Sequence, residues 1–108
     1  MIKPTVGRKL WYRPSDSDLH GPIPMSVCGS PRAGTAQPLD ATVLAVWGDR
    51  CVNVLVLDIY GKPFTKTSVT LMQEDDVVRP VDVHGLEVYG YVEWMPYQTG
   101  QAKKEASA

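Results

Sequence analysis

Alternating apolar and polar positions dominate the middle of this chain. Residues 41–47 ("ATVLAVW") and 51–58 ("CVNVLVLD") are apolar stretches joined by the short connection "GDR". Such a connection, with a Gly for positive φ, is typical of a β-hairpin. In 51–58 one face carries valines and the other face is also mostly apolar, as in a strand covered on both sides. The pattern predicts two antiparallel strands, with the second at the centre of a sheet.

Three more stretches have the composition of strands. Residues 5–12 ("TVGRKLWY") contain β-branched and aromatic residues and end just before Pro14, which cannot donate a hydrogen bond to a neighbouring strand. Residues 64–72 ("FTKTSVTLM") are rich in β-branched residues, but their periodicity does not decide which face is buried. Residues 86–94 ("LEVYGYVEW") alternate cleanly, which predicts a half-buried strand.

The alternation in 86–94 also predicts which side chains face the core. Trp94 shares its face with valines, so we expect it in the core. Tyr89 and Tyr91 alternate with glutamates, so we expect them on a wetter face or against a second subunit. The polar residues 73–85 predict a loop.

Five strands with short connections predict an all-β fold. The expected architecture is a small antiparallel barrel or meander, SH3-like or alternatively OB-like. A chain of 108 residues has the size of one domain, here residues 1–97. Within it, residues 13–38 hold five prolines and three glycines, which predicts a long irregular loop. Residues 98–108 are small and polar and predict a flexible tail with at most a turn or two of helix.

Composition narrows the classes of partner. The chain is 44% hydrophobic and 21% charged with a net charge of −1, as in a soluble globular domain without bulk attraction for nucleic acid. We therefore do not expect duplex nucleic acid as a partner. No apolar run approaches the roughly 20 residues of a membrane span, and no signal peptide is recognisable, so we expect a cytoplasmic protein that does not bind membranes. Cys28 and Cys51 are expected to be free thiols.

Motifs for catalysis or metal binding are not recognisable. His20 and His84 are far apart, without a Cys-x-x-Cys or His-x-x-x-His pair, so neither a metal site nor a cofactor is expected. No Gly-x-Ser-x-Gly elbow is present. We therefore expect a protein that is not an enzyme, with a hydrolase using Cys51 or His84 as the enzymatic alternative.

Aromatic and basic residues are interleaved in several places, which is the pattern that stacks a base and holds a phosphate. Core or rim packing of the rings is the structural alternative. A further candidate contact surface follows the end of the last predicted strand. Together these stretches give the candidate ligand-binding residues Trp11, Arg13, Trp47, Arg50, Tyr97 and Gln98.

Three stretches resemble a group of small accessory proteins of tailed phages and prophages. They are "PTVGRKLWYRP" (4–14), "VNVLVLDIYGKPFTKTSVTLMQ" (52–73) and "GYVEWMPYQTGQAKK" (90–104). The resemblance implies a phage gene product made in the host bacterial cytoplasm and dispensable for virion structure. Proteins of this class commonly act in counter-defence, either blocking a host protein or sequestering a nucleotide-type signal.

Several alternatives stay open from the sequence. A protein partner would use the Pro-rich loop, whereas a nucleotide would use the aromatic and basic residues. Apolar second faces, such as that of Leu55 and Leu57, predict a homo-oligomer. The other functional hypotheses are a virion or structural accessory protein that assembles through strand edges, and an OB-like binder of single-stranded nucleic acid.

Overall fold

The computed structural model describes residues 1–30, 36–73, 76 and 89–107. Each predicted strand has a counterpart, although the bounds differ. The elements are β1 (Lys9–Arg13), α1 (Asp16–His20), β2 (Leu39–Gly48), β3 (Cys51–Leu57), β4 (Pro63–Met72), β5 (Tyr91–Glu93) and α2 (Pro96–Ser107).

The five strands form one closed barrel in the order β1-β2-β3-β4-β5. Consecutive strands from β1 to β4 pair antiparallel. The short β5 closes the barrel, antiparallel to β1 and parallel to β4. The predicted all-β small barrel of the SH3-like or OB-like class is confirmed. Neither described helix is long and apolar enough to cross a membrane.

The barrel interior is filled by alternate residues of each strand. In β3, Val52, Val54 and Val56 are fully buried, while Leu55 and Leu57 on the outer face are half-buried. Every strand of a closed barrel has two neighbours, so β3 has no central position, and only one of its faces is fully buried rather than both being covered as predicted. Trp94, in contrast, is buried with the core as predicted.

A β-bulge in β4 explains why its periodicity did not decide a buried face. Val52 pairs with Val69 and Val54 with Lys66, so β4 has one residue more than β3 between these pairs. Ser68 lies in the bulge at φ 51°. Because an extra residue reverses the alternation, Lys66 faces inward before the bulge, whereas Val69 faces inward after it.

The last strand is shorter than predicted, and the expectation for Tyr91 is wrong. Only Tyr91–Glu93 forms β5, and residues 86–88 lie outside the described part of the chain, as does most of the predicted loop 73–85. Tyr91 is 2% exposed rather than on a wetter face. Val92 and Trp94 belong to the core cluster and Tyr91 does not, so the alternation continues through β5 and Tyr91 is buried on the opposite face of the strand. There its ring stacks on that of Tyr89, with 6.2 Å between the ring centres.

Two helices lie where the sequence predicted irregular chain. α1 lies within the predicted loop 13–38, of which residues 31–35 are outside the described part. α2 occupies most of the stretch for which we expected a flexible polar tail. Pro96 suits the first helical turn, and the Gln98 side chain accepts a hydrogen bond from the Met95 N–H at 2.7 Å. This N-terminal cap is a local sequence signal for the start of a helix. The small and polar composition of the tail predicted a flexible segment instead.

Candidate functional site

The predicted site residues Trp11, Arg13 and Gln98 lie near one another on β1 and α2. The Arg13 guanidinium carbon lies 5.5 Å from the centre of the Trp11 ring. Arg13 also forms an ion pair with Glu93 of β5 at 2.7 Å. Gln98 donates a hydrogen bond to the Lys9 carbonyl of β1 at 2.8 Å. The guanidinium expected to hold a phosphate is therefore already bound to a carboxylate.

Arg50 has a carboxylate partner as well. Its Nε and one terminal nitrogen donate to the two oxygens of Asp76 at 3.2 and 2.9 Å. The hydrogen bond from Arg50 and that from the Gln73 backbone N–H lower the pKa of Asp76 below its ordinary value, against the opposing effect of burial. This bidentate pair makes Asp76 a stable anion beside the β2–β3 turn.

The structure does not bring the two predicted tryptophans together. Trp11 pairs with Asp40 of β2, and Trp47 lies near the other end of the same strand. At about 3.3 Å per residue the backbone positions Asp40 and Trp47 are roughly 23 Å apart. Trp11 and Trp47 therefore lie toward opposite ends of β2. Tyr97, at the start of α2, is exposed.

A cleft beside α1, which the sequence did not predict, has a more concentrated set of side chains. Its volume is about 250 Å³. It opens where α1 and the segment after it meet the inward face of β4. Its lining includes Asp18, Pro22, Ile23, Met25, Phe64 and Lys66.

The wall of the cleft is fixed by the N-terminal cap of α1. The Ser15 hydroxyl accepts a hydrogen bond from the Asp18 N–H at 3.2 Å. The Asp18 carboxylate in return accepts from the Ser15 N–H at 2.9 Å, which completes a capping box. The same carboxylate accepts from the Tyr12 hydroxyl of β1 and pairs with the Lys66 ammonium of β4 at 2.5 Å. Asp18 therefore joins α1 to two strands.

The protonation states in this cluster follow from its contacts. Asp18 is 6% exposed. Burial alone would raise its pKa, but the hydrogen bonds from Lys66, Tyr12 and Ser15 outweigh burial and hold the pKa below its ordinary value. Burial and the neighbouring Asp18 carboxylate raise the pKa of Tyr12 far above its usual value. Asp18 is thus an anion and Tyr12 a neutral donor at neutral pH.

The turn between β3 and β4 continues the surface around the cleft. Asp58 accepts hydrogen bonds from the N–H groups of Tyr60 at 2.9 Å and Lys62 at 3.0 Å, which shape the turn. It also accepts from the Ser26 N–H at 3.2 Å, and the Ile59 N–H donates to the Ser26 carbonyl. The turn and the segment after α1 therefore form one continuous surface.

Exposed apolar side chains cover that surface. Tyr60 is 82% exposed, and Ile23 and Ile59 are also exposed. The Lys62 ammonium lies 5.6 Å from the centre of the Phe64 ring, and within the described ranges no carboxylate forms an ion pair with it. We call the cleft together with Ile23, Ile59, Tyr60 and Lys62 the cleft face.

Part of this site had a signal in the sequence. Ser15 and Asp18 have the spacing of a capping box, which predicts a helix start within the irregular stretch. Phe64 and Lys66 alternate on one side of β4, but only the bulge decides that this side faces inward. Among the residues that the structure describes, no group of three or more His, Cys, Asp or Glu is placed to hold a metal ion. Cys28 and Cys51 are free thiols.

Comparison of the chain with protein-family models, with curated proteins and with solved structures finds no match. The resemblance to small phage accessory proteins therefore stays a prediction. The geometry of the cleft face is the basis on which a function is assigned.

Proposed function

We propose that this chain is a non-enzymatic binding protein that attaches to a host protein through the cleft face. The observation that carries this proposal is the group of exposed apolar side chains around the cleft, with Tyr60 as the most exposed. Exposed apolar patches beside a recess are typical of protein–protein contact sites. Tyrosine is among the residues that contribute most to such contacts.

The size of the cleft favours a protein side chain over a whole small molecule. Its volume of about 250 Å³ is below the roughly 300–1,000 Å³ of small-molecule sites. Pro22, Met25 and Phe64 give it apolar walls. A single large apolar side chain from a partner would fill it and exclude water from the contact.

Charge narrows the chemistry of the partner. The Asp18 carboxylate is neutralised by Lys66 within the wall of the cleft. Lys62, exposed beside Phe64, is a cation of the cleft face that a partner can reach. We therefore propose a partner segment in which a large apolar side chain is flanked by an Asp or Glu that reaches Lys62.

The nucleotide hypothesis has weaker support from the same geometry. Arg13 is bound to Glu93 and Arg50 to Asp76. In both cases the carboxylate already balances the charge of the guanidinium, which weakens its attraction for a phosphate. Trp11 and Trp47 also lie toward opposite ends of β2. A protein target is therefore the version of the binding hypothesis that we propose.

The biological setting of the proposal rests on the resemblance to phage accessory proteins. In that setting the chain acts in the host bacterial cytoplasm as a counter-defence protein that occupies a host protein. A homo-oligomer is compatible with this role, because the cleft lies at one end of the barrel and leaves the opposite end free for a second copy.

Affinity capture with matched variants tests the proposal. The full chain is immobilised beside Tyr60→Ser, Lys62→Glu and Tyr97→Ser, the last as an exposed tyrosine away from the cleft face. We expect one bacterial protein to be retained by the unsubstituted chain and by Tyr97→Ser, and lost from the other two. Cross-links of that protein should map to residues 59–66.

Two results would contradict this function. One is a retained protein whose binding is unaffected by Tyr60→Ser and Lys62→Glu. The other is a nucleotide adduct in native mass spectra of the purified chain that disappears on Trp11→Ala, since that outcome would restore the nucleotide hypothesis.

A further inference from the structure

The inner end of the cleft is polar, although its walls are apolar. Among the side chains that line it, Asp18 and Met25 are buried, whereas Ile23 is exposed. This difference in exposure places Asp18 and Met25 at the inner end of the cleft and Ile23 at its mouth. Lys66, which is half-buried, forms its ion pair with Asp18 there. A side chain that fills the cleft therefore meets this ion pair with its tip.

The Lys66 ammonium has hydrogen-bond donors to spare. An ammonium carries three N–H donors, and within the described part of the chain one carboxylate, that of Asp18, binds it. Because the four bonds of the nitrogen are tetrahedral, the other two N–H groups point away from Asp18. Lys66 lines the cleft, so an acceptor that enters the cleft can reach these donors.

The Asp18 carboxylate has an acceptor position to spare. Its Oδ2 atom accepts hydrogen bonds from the Tyr12 hydroxyl and the Ser15 N–H. Its Oδ1 atom contacts the Lys66 ammonium. Since each oxygen of a carboxylate accepts about two hydrogen bonds, Oδ1 can take a further donor from a group in the cleft.

These open positions favour a hydroxyl group at the tip of the occupant. A hydroxyl both donates and accepts, so it can accept from Lys66 and donate to Asp18 at the same time. A carboxylate would lie beside Asp18, whose charge Lys66 already balances, and an ammonium would lie beside Lys66. An indole N–H only donates, and a phenyl ring would cover both positions without a hydrogen bond.

Size selects among the side chains that end in a hydroxyl. Serine and threonine are too short to fill a cleft of about 250 Å³. Tyrosine combines a ring that packs on Pro22, Met25 and Phe64 with a hydroxyl at its tip. We propose that the partner segment inserts a tyrosine into the cleft, with its hydroxyl bound between Lys66 and Asp18. This inference rests on the proposed function and names the side chain that the partner inserts.

Titration of the full chain with p-cresol and with toluene tests the tyrosine, because these molecules reproduce the side chains of tyrosine and phenylalanine. Two-dimensional ¹H–¹⁵N spectra show which backbone N–H signals shift. We expect p-cresol to shift the signals of cleft residues, among them Ser17, Ile23 and Lys66, and to bind about fivefold more tightly than toluene or better. Equal binding of the two molecules, or the absence of p-cresol shifts at the cleft, would overturn the proposal.

Two lysine variants test whether Lys66 is responsible for the preference. Lys66→Met keeps an unbranched side chain without the ammonium, so p-cresol should bind less than about twofold more tightly than toluene. Lys9→Met is the matched control, since Lys9 also pairs with an aspartate, Asp40, and should keep the full preference. A full preference in folded Lys66→Met would overturn the role of Lys66. If Lys66→Met does not fold, the comparison of the two molecules on the unsubstituted chain still decides the proposal.

The titration requires no host protein, so it separates this inference from the proposed function. A chain that prefers p-cresol but retains no host protein would support the selectivity of the cleft and contradict the proposed function. A chain that loses its captured protein on Tyr60→Ser but binds both molecules equally would contradict the tyrosine alone.

Discussion

The Asp18 carboxylate and the Lys66 ammonium lie 2.5 Å apart, and this contact joins the short helix α1 to the strand β4. Asp18 is buried and Lys66 is half-buried. Lys66 can face inward there only because the bulge at Ser68 reverses the alternation of β4. The wall of the cleft therefore depends on three features: the N-terminal cap of α1, the bulge in β4 and the ion pair that joins α1 to β4.

Asp18→Asn should lower the free energy of unfolding by about 2 kcal/mol, because it removes a charged hydrogen-bond acceptor shared by Lys66, Tyr12 and Ser15. Urea unfolding measures the change. Asp40→Asn is the control, since its ion pair with Lys9 is exposed and should contribute less than about 1 kcal/mol. Equal effects of the two substitutions would mean that Asp18 does not hold α1 in place.

The contribution of Asp18 should depend on pH in a defined direction. The pKa of the Asp18 carboxyl is lowered in the folded chain. As the pH falls, the unfolded chain therefore binds more protons than the folded chain, and the folded state loses stability. The difference in unfolding free energy between the unsubstituted chain and Asp18→Asn should be full above about pH 5 and should shrink below about pH 4. Urea unfolding at a series of pH values checks this. A difference in unfolding free energy that grows as the pH falls would contradict this prediction.

Gln73→Leu should be among the most destabilising single substitutions, at about 3 kcal/mol. The buried Gln73 amide accepts from the Trp94 indole N–H at 3.0 Å and donates to the Ile2 carbonyl at 2.9 Å. It also accepts a hydrogen bond from the Ile2 N–H at 3.1 Å. A leucine at this position would leave several polar groups without their hydrogen-bond partner. Thermal unfolding gives the measurement, with Gln98→Leu on α2 as the milder comparison. A melting temperature within a degree or two of the unsubstituted chain would contradict this role.

Ser68→Gly should stabilise the chain by about 0.5–1 kcal/mol, and Ser68→Val should destabilise it by a larger amount. Ser68 has a φ of 51°, which is unfavourable for a residue with a Cβ and most unfavourable for a β-branched one. Its backbone N–H keeps the bond to Asn53 in either variant. Chemical unfolding of both variants provides the test. A valine variant as stable as the glycine variant would be inconsistent with a left-handed residue at this bulge.

Much of the barrel was predictable because strand alternation is a local pattern. Val52, Val54 and Val56 share a face in any extended strand, so the inward face of β3 follows from the sequence alone. The burial of Trp94 is predictable for the same reason. Tyr91 was assigned to the wrong environment because alternation predicts the face of a side chain but not what covers that face, and Tyr91 is buried outside the core cluster.

The candidate site was less predictable, since proximity in sequence does not report on tertiary partners. Trp11 and Arg13 do stack, as interleaving suggests, but the sequence could not show that Glu93 binds the same guanidinium. Trp47 and Trp11 look equivalent along the chain, yet the pairing of β1 with only the first part of β2 separates them. Which of these side chains become neighbours depends on the register of the strands.

By itself, the sequence determined the all-β class, the hairpin of β2 and β3 and the inward face of β3, because period-two alternation selects strands and their inward sides. Tertiary structure alone decided the cleft and the exposure of Trp47. The cleft exists because Asp18 meets Lys66 across a closed barrel, and the exposure of Trp47 follows from irregular pairing between β2 and β3. Contacts between distant segments depend on register and bulges, which no local pattern in the sequence specifies.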